Sequence, residues 1–170
     1  MKTRKIYYCT VAVRNGQPIF AADQNKHVLI RYMQSLYDRK QLRIYGYVIM
    51  PDHFHLLIEQ LKPGPALDSL LASAGRALYA LLRCEQPLLL DEVVPLENED
   101  GCIWELPART TQVNSMPEML QYLQLMHNNP LAARWRLCRT AADYAYSSSF
   151  YYQSGRDQFT MLSHYRDWVK

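Results

Sequence analysis

The sequence is poor in cysteine. Its four residues of this type (Cys9, Cys84, Cys102 and Cys138) are widely scattered and form no C-x-x-C pair. That spacing argues against a zinc ribbon and against a disulfide framework. Long hydrophobic runs are also missing: no stretch approaches the about 18 consecutive apolar residues of a membrane span. The opening MKTRKIYYCTVAV carries only a short, polar-interrupted apolar run, too brief for a signal-peptide core. Charge of one sign is nearly balanced, with 19 Lys and Arg against 16 Asp and Glu and a net charge of +3. Such a balance permits a nucleic-acid partner without requiring one. Internal repeats and low-complexity segments are lacking too. The expectation is a cytoplasmic protein in a reducing compartment, with residues 1–170 forming one domain and a C-terminal tail from about residue 140.

Hydrophobic residues make up 49 % of the 170 positions, enough to build a single core. KIYYCTVAV is β-branched and aromatic and reads as a first strand, with a turn at Asn15-Gly16. Between Asp23 and Arg39, apolar Val28, Leu29, Tyr32, Met33 and Leu36 recur at helical steps. LRIYGYVIM and HFHLLIE read as two strands of a hairpin broken at Pro51-Asp52. LDSLLASAGRALYALLR then reads as a second helix. Residues 85–114 hold Pro87, Pro95, Pro107 and the acidic run ENEDG, and are expected to be mostly loop with one short strand. Ser115 and Glu118 have the spacing of a capping box, and the third helix they open ends at Pro130. ADYAYSSSFYYQSG reads as a loop or short turn. This order of elements implies an α+β fold, with helices packed on an antiparallel sheet.

Within GYVIMPDHFHLLIEQ, His53 and His55 stand two residues apart. On a strand they share a side with Leu57 and Glu59, while Phe54, Leu56 and Ile58 face the other way. Two imidazoles so placed can converge on one cation, or can simply face water. A catalytic divalent ion needs a further ligand. The search for one leads to LQLMHNNPLAARW, where His127, Asn128 and Asn129 close the third helix. Asn129-Pro130 is equally a plain helix stop.

MPDHFHLLIE, MHNNPLAARW and ADYAYSSSFYY together resemble the single-tyrosine HUH transposases, in particular their REP-associated tyrosine transposase branch. His53-Phe54-His55 matches the family's His, bulky apolar, His motif. Family members usually read like MPNHFHLLI and YIHNNPV at the first two motifs. RNGQPIF and LSHYRDW are also similar, so the resemblance spans nearly the whole chain. It implies an RRM-like antiparallel sheet with helices on one face, and the breaking and rejoining of single-stranded DNA through a 5′-phosphotyrosine. It also implies a divalent metal, Mg²⁺ or Mn²⁺, held by His53, His55 and Asn129. Single-stranded or hairpin DNA is the implied partner, and the protein would act as a monomer or homodimer.

The chain departs from the family at one position. The family tyrosine lies four residues before the metal-site asparagine, and here that residue is Leu125, which has no hydroxyl. Tyr122 is the candidate substitute, three residues earlier, about 60° around the helix and about 4.5 Å along it. The alternatives are a HUH-fold DNA-binding protein without strand transfer, and a metal-dependent nuclease that uses water, with Glu59 or Asp52 as base. Candidate phosphate contacts are Arg14, Arg76 and Arg134, together with Lys2, Arg4, Lys5 and Arg136. Tyr7, Tyr8, Tyr45 and Tyr47 are candidates for stacking on bases, half of them expected to face the core.

Overall fold

A computed structural model describes residues 5–94 and 101–169. Lys2, Arg4, Pro95 and most of the ENEDG run lie outside the described residues. The four strands are β1 (Ile6–Val13), β2 (Leu42–Ile49), β3 (His53–Gln60) and β4 (Trp104–Val113). They form one antiparallel sheet in the order β2-β3-β1-β4. Helix α1 (Asp23–Asp38) connects β1 to β2, and α2 (Ala66–Glu85) with the short α3 (Pro87–Val93) connects β3 to β4. The chain therefore follows the split βαβ arrangement that characterises RRM-like domains. Helix α4 (Met116–Asn128) follows, and α5 (Ser149–Ser154) lies in the C-terminal segment.

Two apolar clusters sandwich the sheet. On one face, Val11, Phe54, Leu56 and Ile58 meet Val28, Leu29 and Met33 of α1 and Leu70, Leu71, Ala74 and Leu78 of α2. Val28, Leu29 and Met33 are among the residues whose recurrence marked α1. The other face carries a smaller cluster, in which Met119, Leu123 and Met126 of α4 pack on Tyr45, Val48, Met50 and Leu57. The α+β sheet and the helix-covered face are as expected. The face bearing the histidines is in addition crossed by α4, because α4 has its own buried stripe at i, i+4 and i+7.

The start of α4 bears out the capping signal: the Glu118 amide donates to Ser115 Oγ at 3.4 Å, and the Asn114 amide donates to Glu118 Oε2 at 2.8 Å. Residues 85–114 hold more structure than expected. α3 uses the Leu-rich turn after Pro87, and β4 is ten residues long. One short strand was expected in this stretch, but its length and bounds could not be read, because β4 is an edge strand: most of its side chains face water, so it lacks apolar alternation.

At the opposite edge, the C-terminal segment covers β2. Ile49 N donates to Tyr146 O at 2.9 Å, Ser148 N to Tyr47 O at 2.9 Å, and Ser163 N to Ile44 O at 2.8 Å. The hydroxyls of Tyr144 and Tyr152 donate to Ile49 O and Tyr45 O, each at 2.6 Å. The tyrosine-rich ADYAYSSSFYY stretch thus closes a sheet edge that would otherwise leave backbone groups unpaired.

Candidate metal centre and adjoining cleft

β3 projects His53 and His55 onto the α4 side of the sheet, and the end of α4 brings Asn129 over them. Asn129 Nδ2 lies 2.8 Å from His55 Nε2 and 3.3 Å from His53 Nε2. The two imidazole centroids are 4.9 Å apart with their planes at 80°. The three residues singled out from sequence are therefore together in space.

Each ring is held from behind. His53 Nδ1 lies 2.5 Å from Asp52 Oδ1, and the other oxygen of that buried carboxylate accepts from Arg134 at 2.9 Å. His55 Nδ1 lies 3.0 Å from the Tyr8 hydroxyl and 2.9 Å from Thr10 Oγ1. With the protons on Nδ1, both Nε2 lone pairs point at Asn129. Burial, and secondarily the neighbouring His53, push the His55 pKa down to about 3, so this imidazole is neutral across the physiological range.

Among the described residues, no group of three or more His, Cys, Asp or Glu side chains is placed to hold a metal. The donor set here is two neutral imidazole nitrogens and a carboxamide, which presents oxygen instead of nitrogen after a half-turn about its last torsion. Two converging lone pairs, each fixed by a partner on the far ring nitrogen, fit a divalent ion.

Tyr122 and Leu125 share the helix stripe of Asn129. Leu125 is 57 % exposed and lines a shallow cleft with Tyr122, Gln121 and Asn128. The Tyr122 ring stacks on Tyr8 at 4.3 Å, and Tyr8 in turn stacks on His55 at 5.5 Å, so Tyr8 stands between Tyr122 and the imidazole pair. Burial pushes the Tyr8 phenol up to about 12, which suits it to supporting His55 rather than to ionising.

The motif residue His127 turns away from the imidazole pair. Its Nε2 lies 2.8 Å from Ser148 Oγ, which accepts from Tyr47 N at 3.0 Å. Burial lowers its pKa to about 4. Glu59, considered as a base, is buried near the other end of β3 and accepts from the Tyr45 hydroxyl at 2.6 Å and from Arg43 at 3.1 Å. Asp52 does adjoin the site.

Of the candidate DNA contacts, Arg134 reaches the site through Asp52. It lines a cleft of about 300 Å³ beside His53. Arg14 sits in the single helical turn after β1, its amide donating to Ile103 O. Arg76 lines a separate cleft between α2 and Trp104, on the side of the sheet away from the histidines. Tyr8, Tyr45 and Tyr47 are buried, and Tyr7 packs against the α2-side core. Sequence reasoning missed Arg109 and Glu105, which also line the cleft beside His53. The pairing of β4 with β1 places them there, opposite Thr10 and Ala12.

No family model and no curated protein matches the chain. Solved structures do. A REP-associated tyrosine transposase bound to a REP hairpin superposes with a TM-score of 0.63 at 14 % identity, over 94 % of this chain and 86 % of the other. A protein from Deinococcus radiodurans R1 classed as a transposase superposes with a TM-score of 0.50 at 16 % identity, over 75 % of this chain and 92 % of that one. The chain thus has the α+β fold of these transposase structures. No helix among the described residues is long and apolar enough to cross a membrane.

Proposed function

We propose that the chain is a HUH-type protein of the REP-associated tyrosine transposase kind, which binds single-stranded or hairpin DNA at a divalent-metal centre and lacks efficient strand transfer. The convergence of His53, His55 and Asn129 within 3.3 Å carries this reading. The fold shared with a transposase bound to a REP hairpin adds to it. The four free cysteines agree with a cytoplasmic setting.

Bound at these three side chains, Mg²⁺ or Mn²⁺ would draw charge from a phosphate oxygen. Asp52, Tyr8 and Thr10 hold the two imidazoles in the tautomer that presents Nε2. Arg134 offers guanidinium donors to a phosphate at the cleft mouth. A nucleophile is what is missing, since Leu125 has no hydroxyl and the Tyr122 ring is packed on Tyr8.

A second reading keeps Tyr122 as nucleophile, because it lies on the same helix stripe two turns before Asn129. A third uses water, with Asp52 beside the site. The test is incubation of labelled hairpin DNA with the protein and Mn²⁺, followed by denaturing gels. Binding without cleavage is the expected result. A covalent adduct that disappears in Tyr122→Phe would establish the second reading, and cleavage without an adduct the third. Binding unaffected by His53→Ala in Mn²⁺ would overturn the metal centre as the binding site.

A further inference from the structure

The cleft beside His53 holds two groups that the metal centre does not use. Glu105 and Arg109 are exposed, line this cleft, and have no side-chain hydrogen bond or ion pair among the described residues. Asp52 and Thr10, by contrast, are already engaged by the histidines, and Arg134 by Asp52.

Pairing along the sheet fixes the layout. Ala12 lies opposite His53 on one side and Glu105 on the other, so these three form one cross-strand row. Thr10 lies likewise between His55 and Arg109. Two strand spacings put Glu105 about 10 Å from His53 in backbone position. β4 places three residues between Glu105 and Arg109 where β1 places one between Thr10 and Ala12, and the surplus bulges out. Pro107, in that bulge, lines the cleft together with Ala12 and Val13. The result is a recess of mixed polar and apolar walls with one free carboxylate and one free guanidinium, at the low end of the about 300–1,000 Å³ of small-ligand sites.

A carboxylate repels phosphate, so a DNA backbone cannot run along the Glu105 wall. It attracts instead a group with hydrogen-bond donors. We propose that this cleft is a nucleotide subsite that seats one unpaired base bearing an exocyclic amine, with its polar edge on Glu105 and its phosphate on Arg109. The assignment rests on the DNA reading above and adds a preference to it. Adenine, cytosine and guanine each present an amine. Thymine presents only N3–H, flanked by two carbonyl oxygens that a carboxylate repels. Arg109 contributes to all sequences alike, because a phosphate contact carries no base information.

The test is fluorescence anisotropy with labelled octamers dA8, dC8 and dT8 in Mn²⁺. The wild-type protein is expected to bind dA8 and dC8 about tenfold more tightly than dT8, the size of one good charged hydrogen bond. Glu105→Ala should bring that ratio close to one, which separates the carboxylate's effect from differences in base stacking. Arg109→Ala should weaken all three by a similar factor and reduce the salt slope by about 0.7. Arg83→Ala, exposed on α2, serves as the control and should match wild type. A preference that survives Glu105→Ala, or wild-type binding without preference, overturns the subsite while leaving the DNA reading intact. Failure of every octamer and of hairpin DNA to bind overturns both.

Discussion

Asp52 Oδ1 lies 2.5 Å from His53 Nδ1, and the same carboxylate accepts from Arg134 at 2.9 Å. Where the resembling family usually carries asparagine, this chain carries a charged group that fixes the ring and neutralises itself on an arginine. Asp52→Asn keeps the shape and removes the charge. It is expected to weaken Mn²⁺ binding by about tenfold, the lower bound for a lost outer partner of a metal-ligating histidine. Isothermal titration with MnCl₂ reads this directly.

Leu125, four residues before Asn129, lacks the hydroxyl that the resemblance implies at its position. Because its side chain is 57 % exposed, Leu125→Tyr should change stability by no more than about 0.5 kcal/mol. With hairpin DNA and Mn²⁺, this variant is expected to yield a covalent protein–DNA adduct that wild type does not form. A denaturing gel that shows no adduct would mean that more than the hydroxyl has been lost.

α4 sits close on Gly46. A Cβ added there would come within 2.5 Å of Leu123 Cδ2 and 3.0 Å of Met126 Sδ. Gly46→Ala should therefore lift the helix and cost about 1–3 kcal/mol in urea unfolding. Asn129 rides on the same helix, so Mn²⁺ affinity should fall as well. Intact metal binding in a destabilised Gly46→Ala protein would show that Asn129 is positioned independently of α4.

His127 is neutral in the folded state, with its pKa lowered to about 4 by burial. The unfolded chain protonates it near 6.5. As pH falls from about 6.5 to 4, the unfolded state takes up a proton that the folded state refuses, and stability is lost. This one group accounts for roughly 3 kcal/mol by pH 4. His55, lowered to about 3, adds a loss of the same sign that continues to lower pH. Urea unfolding of wild type and His127→Gln between pH 7 and 4.5 should show a shallower decline in the variant.

Local pattern carried much of this protein. The 3.6-residue recurrence in α1 and the Ser115 cap of α4 are written in residues near one another in the chain, and each forms where expected. Likewise the alternation around His53 and His55 guaranteed that both would share a face, because a strand side-chain repeat is two. The need of the two strand histidines for a third donor led to the closing turn of α4, but only the resemblance to the family's second motif picked Asn129 over His127 and Asn128 there.

Relations across the sheet were not available from sequence. β4, polar and exposed at an edge, has no apolar alternation to announce it, and without it Glu105 and Arg109 have no assigned neighbours. His127 sits two residues before Asn129, yet the helix turns it to Ser148 while Asn129 meets the imidazoles. Arg76, a plausible phosphate contact on charge alone, lies behind the sheet. Strand identity and ligand type follow from short-range periodicity and side-chain chemistry. Which side of the sheet a residue serves, and which ring stands between Tyr122 and the histidines, depends on packing between segments as much as a hundred residues apart.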